Sequence, residues 1–490
     1  MFLKTKKRIS ELMDTISEML GVLCQWQEPI SAVLDCLLAV EMILSKLDEE
    51  EEVPQKIIDK LQIIHTSFYS FSNDCTIING SSVKILNSQV LLLKILFQKE
   101  IKTKLNVVFF PYKASMWDSL ATIYEATIKD EDCVACVVPI PYYQIAQGKA
   151  IPTYEGERFP ENLSITHYSK YDLEEEQPDI IFVHNIYDQY NMITRVYEQY
   201  FTSNLKRYTD MLVYVPYHIS SFITPQKGCR LLAYDVPTIK NVDKIILAGE
   251  FLKKAAIRDG IPEQKILALG SPKIDALINA MREDIPYPVG WKEKLQGKTV
   301  YVLNTGCLFF ADDPFAKVGA LWNFFNITNI DDNNVLIWRP HPLTKVSIMN
   351  YTPQLLNYYT TLTEEYLKSG AITLNNIILD ETDDYFPALK AADVFISADG
   401  SLLRSYLLTE KKILFLDKEM PKYSSIPSNA FYYFYNEDQP WYKLVKKFSS
   451  GYDPLAKNRQ GMAKKVYANT DGSCGEKVYR AIKEYVLMKS

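Results

Sequence analysis

The rhythm of hydrophobic and polar positions changes once along the chain, near residue 105. Before that point apolar residues recur at the three-and-four spacing of a helix with one covered face. Ile30, Val33, Leu34, Leu37 and Leu38 form one such set. The acidic run 49–52 followed by Pro54 ends that helix, and a second apolar-periodic stretch covers 57–71. Residues 1–100 are therefore predicted as a helical N-terminal segment. Amphipathic faces of this kind pack on the main body, self-associate, or lie on a membrane.

From residue 105 short continuous apolar runs alternate with helical stretches. Strands are predicted at 106–110, 133–140, 179–183, 211–215, 244–247 and 265–269, with helices at 115–128 and 250–258. Unbroken apolar runs, rather than alternation, indicate strands covered on both faces, as in a parallel sheet. Pro286, Pro288 and Gly290 interrupt the pattern as a linker would. The cycle then restarts, with strands at 299–303, 335–338, 376–379, 394–397 and 413–416. Helices are predicted at 314–327, 353–369 and from 401, and the chain closes with helices at 440–449, 455–469 and 475–488. The predicted fold class is α/β. Two Rossmann-like, doubly wound parallel-sheet domains, 101–285 and 286–490, face a cleft behind the helical segment.

Composition changes this picture little. A chain of 490 residues needs two or three cores, and 47% hydrophobic with 23% charged residues is the balance of a globular protein. The net charge of -6 gives no general attraction to nucleic acid, so an anionic substrate needs a local site. The eight Cys are scattered, including Cys229. The close pair Cys133 and Cys136 lies in a strand-like run without the second ligand pair that zinc wants, so no metal is expected. Unpatterned Cys usage fits a reducing cytosol. The longest apolar stretch, 30–47, is broken by Asp35 and Glu41, and neither a membrane span nor a signal peptide is expected. Lys4, Lys6, Lys7 and Arg8 leave peripheral contact with an anionic membrane open.

In open α/β sheets ligands bind beyond the carboxyl ends of the strands, so polar residues there carry most weight. Arg339-Pro340-His341-Pro342 follows one strand. A donor fork beside a proline-aimed imidazole suits a diphosphate, while a structural ion pair and a turn hydrogen bond are the bland alternative. Ser397, Asp399, Gly400 and Ser401 lie between a strand and a helix, with Arg404 one turn in. They form an anion-loop candidate in which Ser401 also serves as a cap. Asn304, Thr305 and Gly306 follow a third strand end. In the first half, His184, Asn185, Tyr187, Asp188 and Asn191 form a dense polar run, and His218 sits at the equivalent place one strand on. Either histidine is a base that titrates near neutrality without tuning, or a satisfied structural residue. Lys113 and Ser115, after the first strand, are candidates for acceptor contact.

Three pieces in this order resemble the CDP-glycerol glycerophosphotransferase family, the teichoic-acid primases and polymerases with a GT-B fold. They are Gly270-Ser271-Pro272-Lys273-Ile274-Asp275, Arg339-Pro340-His341-Pro342, and the stretch 384–416. The chain departs from the family pattern in three places: Ile219 stands where a Gly follows the histidine, Ala398-Asp399-Gly400-Ser401 where the loop reads Asp-Tyr-Ser-Ser, and Ser405 where that loop ends on an acid. The resemblance implies that the second half binds CDP-glycerol with His341 at the diphosphate and Ser401 nearby. His218 would then be the first-half catalytic histidine, acting on a hydroxyl of a cell-envelope glycan or lipid-linked acceptor. It implies a cytoplasmic or inner-face peripheral enzyme of teichoic-acid-like synthesis that needs no cofactor. A GT-B glycosyltransferase using another nucleotide sugar, and a degenerate non-catalytic scaffold, stay open as alternatives.

Overall fold

The computed structural model describes residues 1–488 apart from 27, 28, 51, 147, 228–233, 283, 284, 369–373 and 375. Cys229, Glu51 of the acidic run and the end of the helix expected at 353–369 lie outside the described residues. The chain divides into two compact units: Met1–Val107 with Asp130–Val134 and Tyr485–Ser490, and Val108–Lys129 with Ala135–Glu484.

The first unit is built on α1 (Leu3–Val22), α2 (Ile30–Asp48), α3 (Gln55–Asn73) and α4 (Gly80–Glu100). Each helix packs on the next, and α4 packs back on α1. Asn79 caps α4 in a capping box with Ser82. The covered face of α2 is Val33, Cys36, Val40, Ile43 and Leu47. This corrects the expected face, because Leu34 and Leu38 are 49% and 57% exposed and Ile30 is also outward. The helix carries two apolar stripes, and the small residues Ala32 and Cys36 mark the one that meets a neighbour. Among the described residues, α4 is the one helix long and apolar enough to cross a membrane. Its Val83, Leu86, Val90, Leu93 and Phe97 are buried in the bundle.

The predicted alternation follows, most of it in the second unit. Its first strands are β1 (Leu105–Phe110), β2 (Cys133–Val137), β3 (Tyr142–Ala146), β4 (Lys149–Thr153), β5 (Ile180–Val183), β6 (Thr194–Val196), β7 (Met211–Tyr214), β8 (Lys244–Ile246) and β9 (Ile266–Leu267). Six of them form a sheet in the order β2-β1-β5-β7-β8-β9, with β5 through β9 paired in parallel. The other three form a small antiparallel sheet, β4-β3-β6, absent from the sequence reading. Next come β10 (Thr299–Thr305), β11 (Asn334–Pro340), β12 (Ile377–Leu379), β13 (Val394–Ser397), β14 (Lys412–Phe415) and β15 (Tyr432–Tyr433). These pair in parallel in the order β12-β11-β10-β13-β14-β15, the doubly wound order with its reversal between β10 and β13. The fold is thus α/β with two Rossmann-like sheets, as expected.

Several strand ends move: β2 stops at Val137 rather than at 140, and β9 covers only Ile266–Leu267 rather than 265–269. β10 and β11 run two residues further than predicted, pairing Asn304 with Arg339 and Thr305 with Pro340, so these residues belong to the sheet rather than to loops. The helix expected at 353–369 is three short pieces, Pro353–Leu355, Leu356–Thr360 and Thr361–Lys368. Where chemistry and pattern agree the boundary is sharp. Asp313 caps the helix Pro314–Phe325 through Ala316 N–H (3.1 Å), with Pro314 in the first turn.

The 270–275 motif is an assembly joint. Gly270 has φ +105°, and a Cβ there would lie 2.3 Å from the Ala468 carbonyl, so both conformation and space demand glycine. Asp275, fully buried, accepts from Gly475 N–H (2.7 Å) and so ties the helix Pro272–Arg282 to the helix Cys474–Met488. Gly270→Ala is expected to cost at least about 2 kcal/mol of unfolding free energy in urea titration. Gly319→Ala, in open space on the helix Pro314–Phe325, should be neutral or stabilising. Equal effects at the two positions would contradict this joint.

Candidate functional site

Between the carboxyl ends of the two parallel sheets lies a cavity of about 250 Å³. Lys113, Ser115, Gln144, Glu155 and Arg158 line it from the first half, and Arg339, His341, Lys345 and the 380–383 segment from the second. His341 is placed by β11 and its neighbour: its own N–H donates to Thr305 O (3.0 Å). Its Nδ1 accepts from Leu343 N–H (3.1 Å), so the network puts the ring proton on Nε2. Burial, then Lys113 and Arg339, push its pKa down to about 4. At neutral pH His341 is an uncharged Nε2–H donor.

Lys113 comes from the loop after β1 and is nearly enclosed. Its Nζ lies 3.3 Å from both Glu155 Oε1 and Tyr142 Oη, and the second Glu155 oxygen accepts from Ala114 N–H (3.1 Å). Arg158 and Lys345 are exposed on opposite sides of the cavity, and neither has an ion-pair partner among the described residues. The lining thus carries four cations, Lys113, Arg158, Arg339 and Lys345, and four carboxylates, Glu155, Asp380, Glu381 and Asp383, and of the cations Arg158 and Lys345 have no carboxylate partner among the described residues.

Several expected ligands turn out to be structural. Arg339 Nη1 donates to Asp380 Oδ2 (2.6 Å) and Asp384 O (3.2 Å), and Nη2 to Thr382 O (2.8 Å). Its guanidinium shapes the 380–384 loop while also lining the cavity. Asn304 Nδ2 donates to Arg339 O (3.0 Å), Thr305 Oγ1 accepts from Trp338 Nε1 (3.2 Å), and Gly306 turns the chain. The three brace the His341 loop.

The 397–404 segment joins the two halves. Ser397 is buried at the end of β13. Gly400 caps the six-residue helix Ser401–Tyr406 in an extended conformation. Asp399 accepts from Ser221 Oγ (2.5 Å) and Arg404 Nε (2.7 Å), Arg404 Nη1 donates to Ile219 O, and Ser401 Oγ accepts from Ile219 N–H (3.3 Å). The expected anion loop is therefore occupied by the first half's 219–221 loop. This leaves His218 half-buried, with neither ring nitrogen hydrogen-bonded to the described residues. Burial, then Arg404 and Lys273, push its pKa down to about 4.

Most of the polar run after β5 is hydrogen-bonded locally, although Asp188 Oδ1 is buried without a partner among the described residues. His184 is fully buried, Nε2 accepting from Tyr112 N–H (3.1 Å) and Nδ1 facing Ser119 Oγ (3.2 Å), so both ring nitrogens are engaged within the fold. Asn185 Oδ1 caps Tyr187 N–H (2.9 Å), and Tyr187 Oη meets Tyr214 Oη (3.4 Å). Asp188 holds Thr202 through N–H and hydroxyl, and burial raises its pKa to about 6. Asn191 Oδ1 takes Ile193 and Thr194 N–H (3.0 Å each). Density of polar groups here marks a tight turn, which is why the pattern misled.

The sequence reading missed Glu155, Arg158, Tyr142, Lys345 and the buried trio Asp118, Lys273 and Tyr385. Lys273 Nζ lies 2.8 Å from Asp118 Oδ2, which also accepts from Tyr385 Oη across the two halves. Lys273 stood in the quoted 270–275 motif, a signal present but given no role. Among the described residues no group of three or more His, Cys, Asp or Glu converges as a metal site.

No family model matches the chain, and no curated protein matches it in sequence. Solved structures do match in fold. A UDP-N-acetylglucosamine 2-epimerase from Listeria monocytogenes aligns at 14% identity and TM-score 0.50, over 79% of this chain and 98% of that one. The S. aureus MnaA–UDP co-structure aligns at 13% identity and TM-score 0.50, over 78% and 97%. The wall teichoic acid polymerase TagF aligns at 14% identity over 78% and 90%, with a TM-score of 0.47, too low to support a conclusion. The first two define the class: a GT-B-like pair of Rossmann domains.

His184 gives a pH prediction. Burial holds its pKa near 3, below the ordinary 6.5, so the unfolded chain binds the proton more readily than the native one. Its contribution to stability is complete above about pH 6.5 and is lost as the pH falls toward 3. Between pH 7 and 5 the wild type should lose about 2 kcal/mol more than His184→Gln in urea titrations, a comparison that cancels the opposite contribution of Asp188. Parallel pH profiles for the two proteins would contradict the neutral assignment.

Proposed function

We propose that the chain is a transferase that moves glycerol phosphate from CDP-glycerol to a hydroxyl of a cell-envelope glycan or lipid-linked, teichoic-acid-like acceptor. The observation that carries this reading is the cavity between the two sheets, lined by the neutral Nε2–H donor of His341, the Lys113 ammonium and the exposed cations Arg158 and Lys345. These donors suit the phosphate oxygens of a nucleoside diphosphate ester, and the order of the 270–275, 339–342 and 384–416 motifs points to cytidine and glycerol.

In this mechanism the acceptor oxygen attacks the phosphorus that bears glycerol. His218, uncharged at neutral pH, takes the hydroxyl proton, and the P–O bond to CMP breaks with its electron pair leaving on CMP. His341, Lys113, Arg158 and Lys345 offset the charge gathering on the departing phosphate, which is the main contribution a protein makes to phosphoryl transfer. On this reading the enzyme works in the cytoplasm. The outward stripe of Ile30, Leu34 and Leu38 is where the helical unit would meet the inner membrane face or a second copy.

A second reading is a glycosyltransferase that uses another nucleotide sugar. It is favoured by the fold shared with a protein solved with UDP. Calorimetric titration separates the two. Cytidine-selective binding, weakened roughly 10- to 100-fold in His341→Ala, is the expected result, the scale of losing one charge-assisted hydrogen bond. Uridine selectivity would transfer the case to the second reading, and absence of nucleotide binding would remove both.

A further inference from the structure

A second and far smaller cavity lies at the carboxyl ends of β7, β8 and β9. Its volume is about 10 Å³, and His218, Ser220, Gly270 and Ser271 are among its lining residues. That is room for one oxygen atom with its hydrogens.

Two of the groups on its wall lack partners. Ser271 is 6% exposed, and its Oγ is buried without a hydrogen bond to the described residues. A buried hydroxyl left in that state costs about 1–3 kcal/mol, so native proteins normally supply a partner. His218 likewise makes no hydrogen bond to the described residues. The backbone that presents Ser271 is fixed from several sides. Gly270 lies against Ala468 O, Lys273 pairs with Asp118, and Asp275 accepts from Gly475 N–H. The hydroxyl is therefore held in place by three contacts that have nothing to do with its own bonding.

We infer that this cavity seats a single hydroxyl oxygen shared between Ser271 Oγ and His218, and that during turnover the occupant is the attacking hydroxyl of the acceptor. Ser271 donates to the seated oxygen, and the seated O–H points at the unprotonated ring nitrogen of His218. With Arg404 and Lys273 nearby, His218 stays uncharged and keeps that lone pair. Ser271 is then a positioning residue that aims the nucleophile at the base. In the resting protein a water takes the same place. The turnover half of this inference rests on the transferase reading, whereas the shared oxygen does not.

The test uses the full chain with isotope-labelled histidine rings. The chain has five His, and His218→Gln assigns the resonance in question. Ser271→Val and Ser271→Thr are near-isosteres that differ by the hydroxyl. The Val variant is expected to move the His218 ring nitrogen shifts and leave His65, His167, His184 and His341 in place, while Thr restores them. An unmoved His218 in a folded Val variant overturns the shared oxygen, whatever the substrate. If Val fails to fold, Ser271→Ala provides the same comparison. Glycerol added as a hydroxyl probe should perturb His218 in the wild type and not in Ser271→Val. No response to glycerol in either protein overturns the acceptor seat and leaves water as the occupant. In the CDP-glycerol transfer assay, Val should lower kcat at least about tenfold with donor KM unchanged, and Thr should rescue it. Loss confined to KM would overturn the positioning role. Absence of turnover in the wild type would strike the transferase reading and leave the spectroscopic result standing.

Discussion

The Arg404 guanidinium is a central point of the seam between the two Rossmann-like sheets. Arg404 donates to Asp399 (2.7 Å) on its own half and to the Ile219 carbonyl on the other, and Asp399 in turn takes the Ser221 hydroxyl (2.5 Å). Both ionic partners are mostly buried, so the pair is weak evidence for net stability. Removing one partner would nevertheless leave an uncompensated charge, a cost of about 3–5 kcal/mol. What the contact provides is register. It fixes the loop carrying His218 against the β13–helix turn, and the Tyr385–Asp118–Lys273 cluster repeats the arrangement at a second point of the seam. The positions of His218 and His341, one from each half, follow from these contacts.

The same enclosure sets the chemistry. His218 and His341 are both pressed toward uncharged forms by burial and by neighbouring cations. They differ in what remains available. The Nδ1 of His341 is spent on Leu343 N–H, which leaves a donor, whereas His218 keeps both ring nitrogens unengaged. One residue type thus offers a donor at one place and free ring nitrogens at another, the division set by the local backbone.

Much of the fold was legible because buried parallel strands write themselves as unbroken apolar runs, and β13 was read to the residue. His341 and Lys113 were legible as strand-end residues. The misses have physical causes. Arg339 lies at a strand end like a ligand, yet its partners Asp380, Thr382 and Asp384 are forty residues away in sequence and cannot be paired by inspection. The 184–191 run and the 399–404 loop look like ligand sites because turns and domain seams use the same Asn, Asp and Ser chemistry. Glu155 and Arg158 follow the small antiparallel sheet, whose short mixed strands carry no strong period.

The most direct measurement is a crystal structure of the protein with CDP. The diphosphate is expected in the cavity between the sheets, with a phosphate oxygen about 2.7–3.2 Å from His341 Nε2 and within reach of Lys113. CDP bound away from His341, or bound there only after the Arg404–Asp399 contact has opened and His341 has turned aside, would contradict the site.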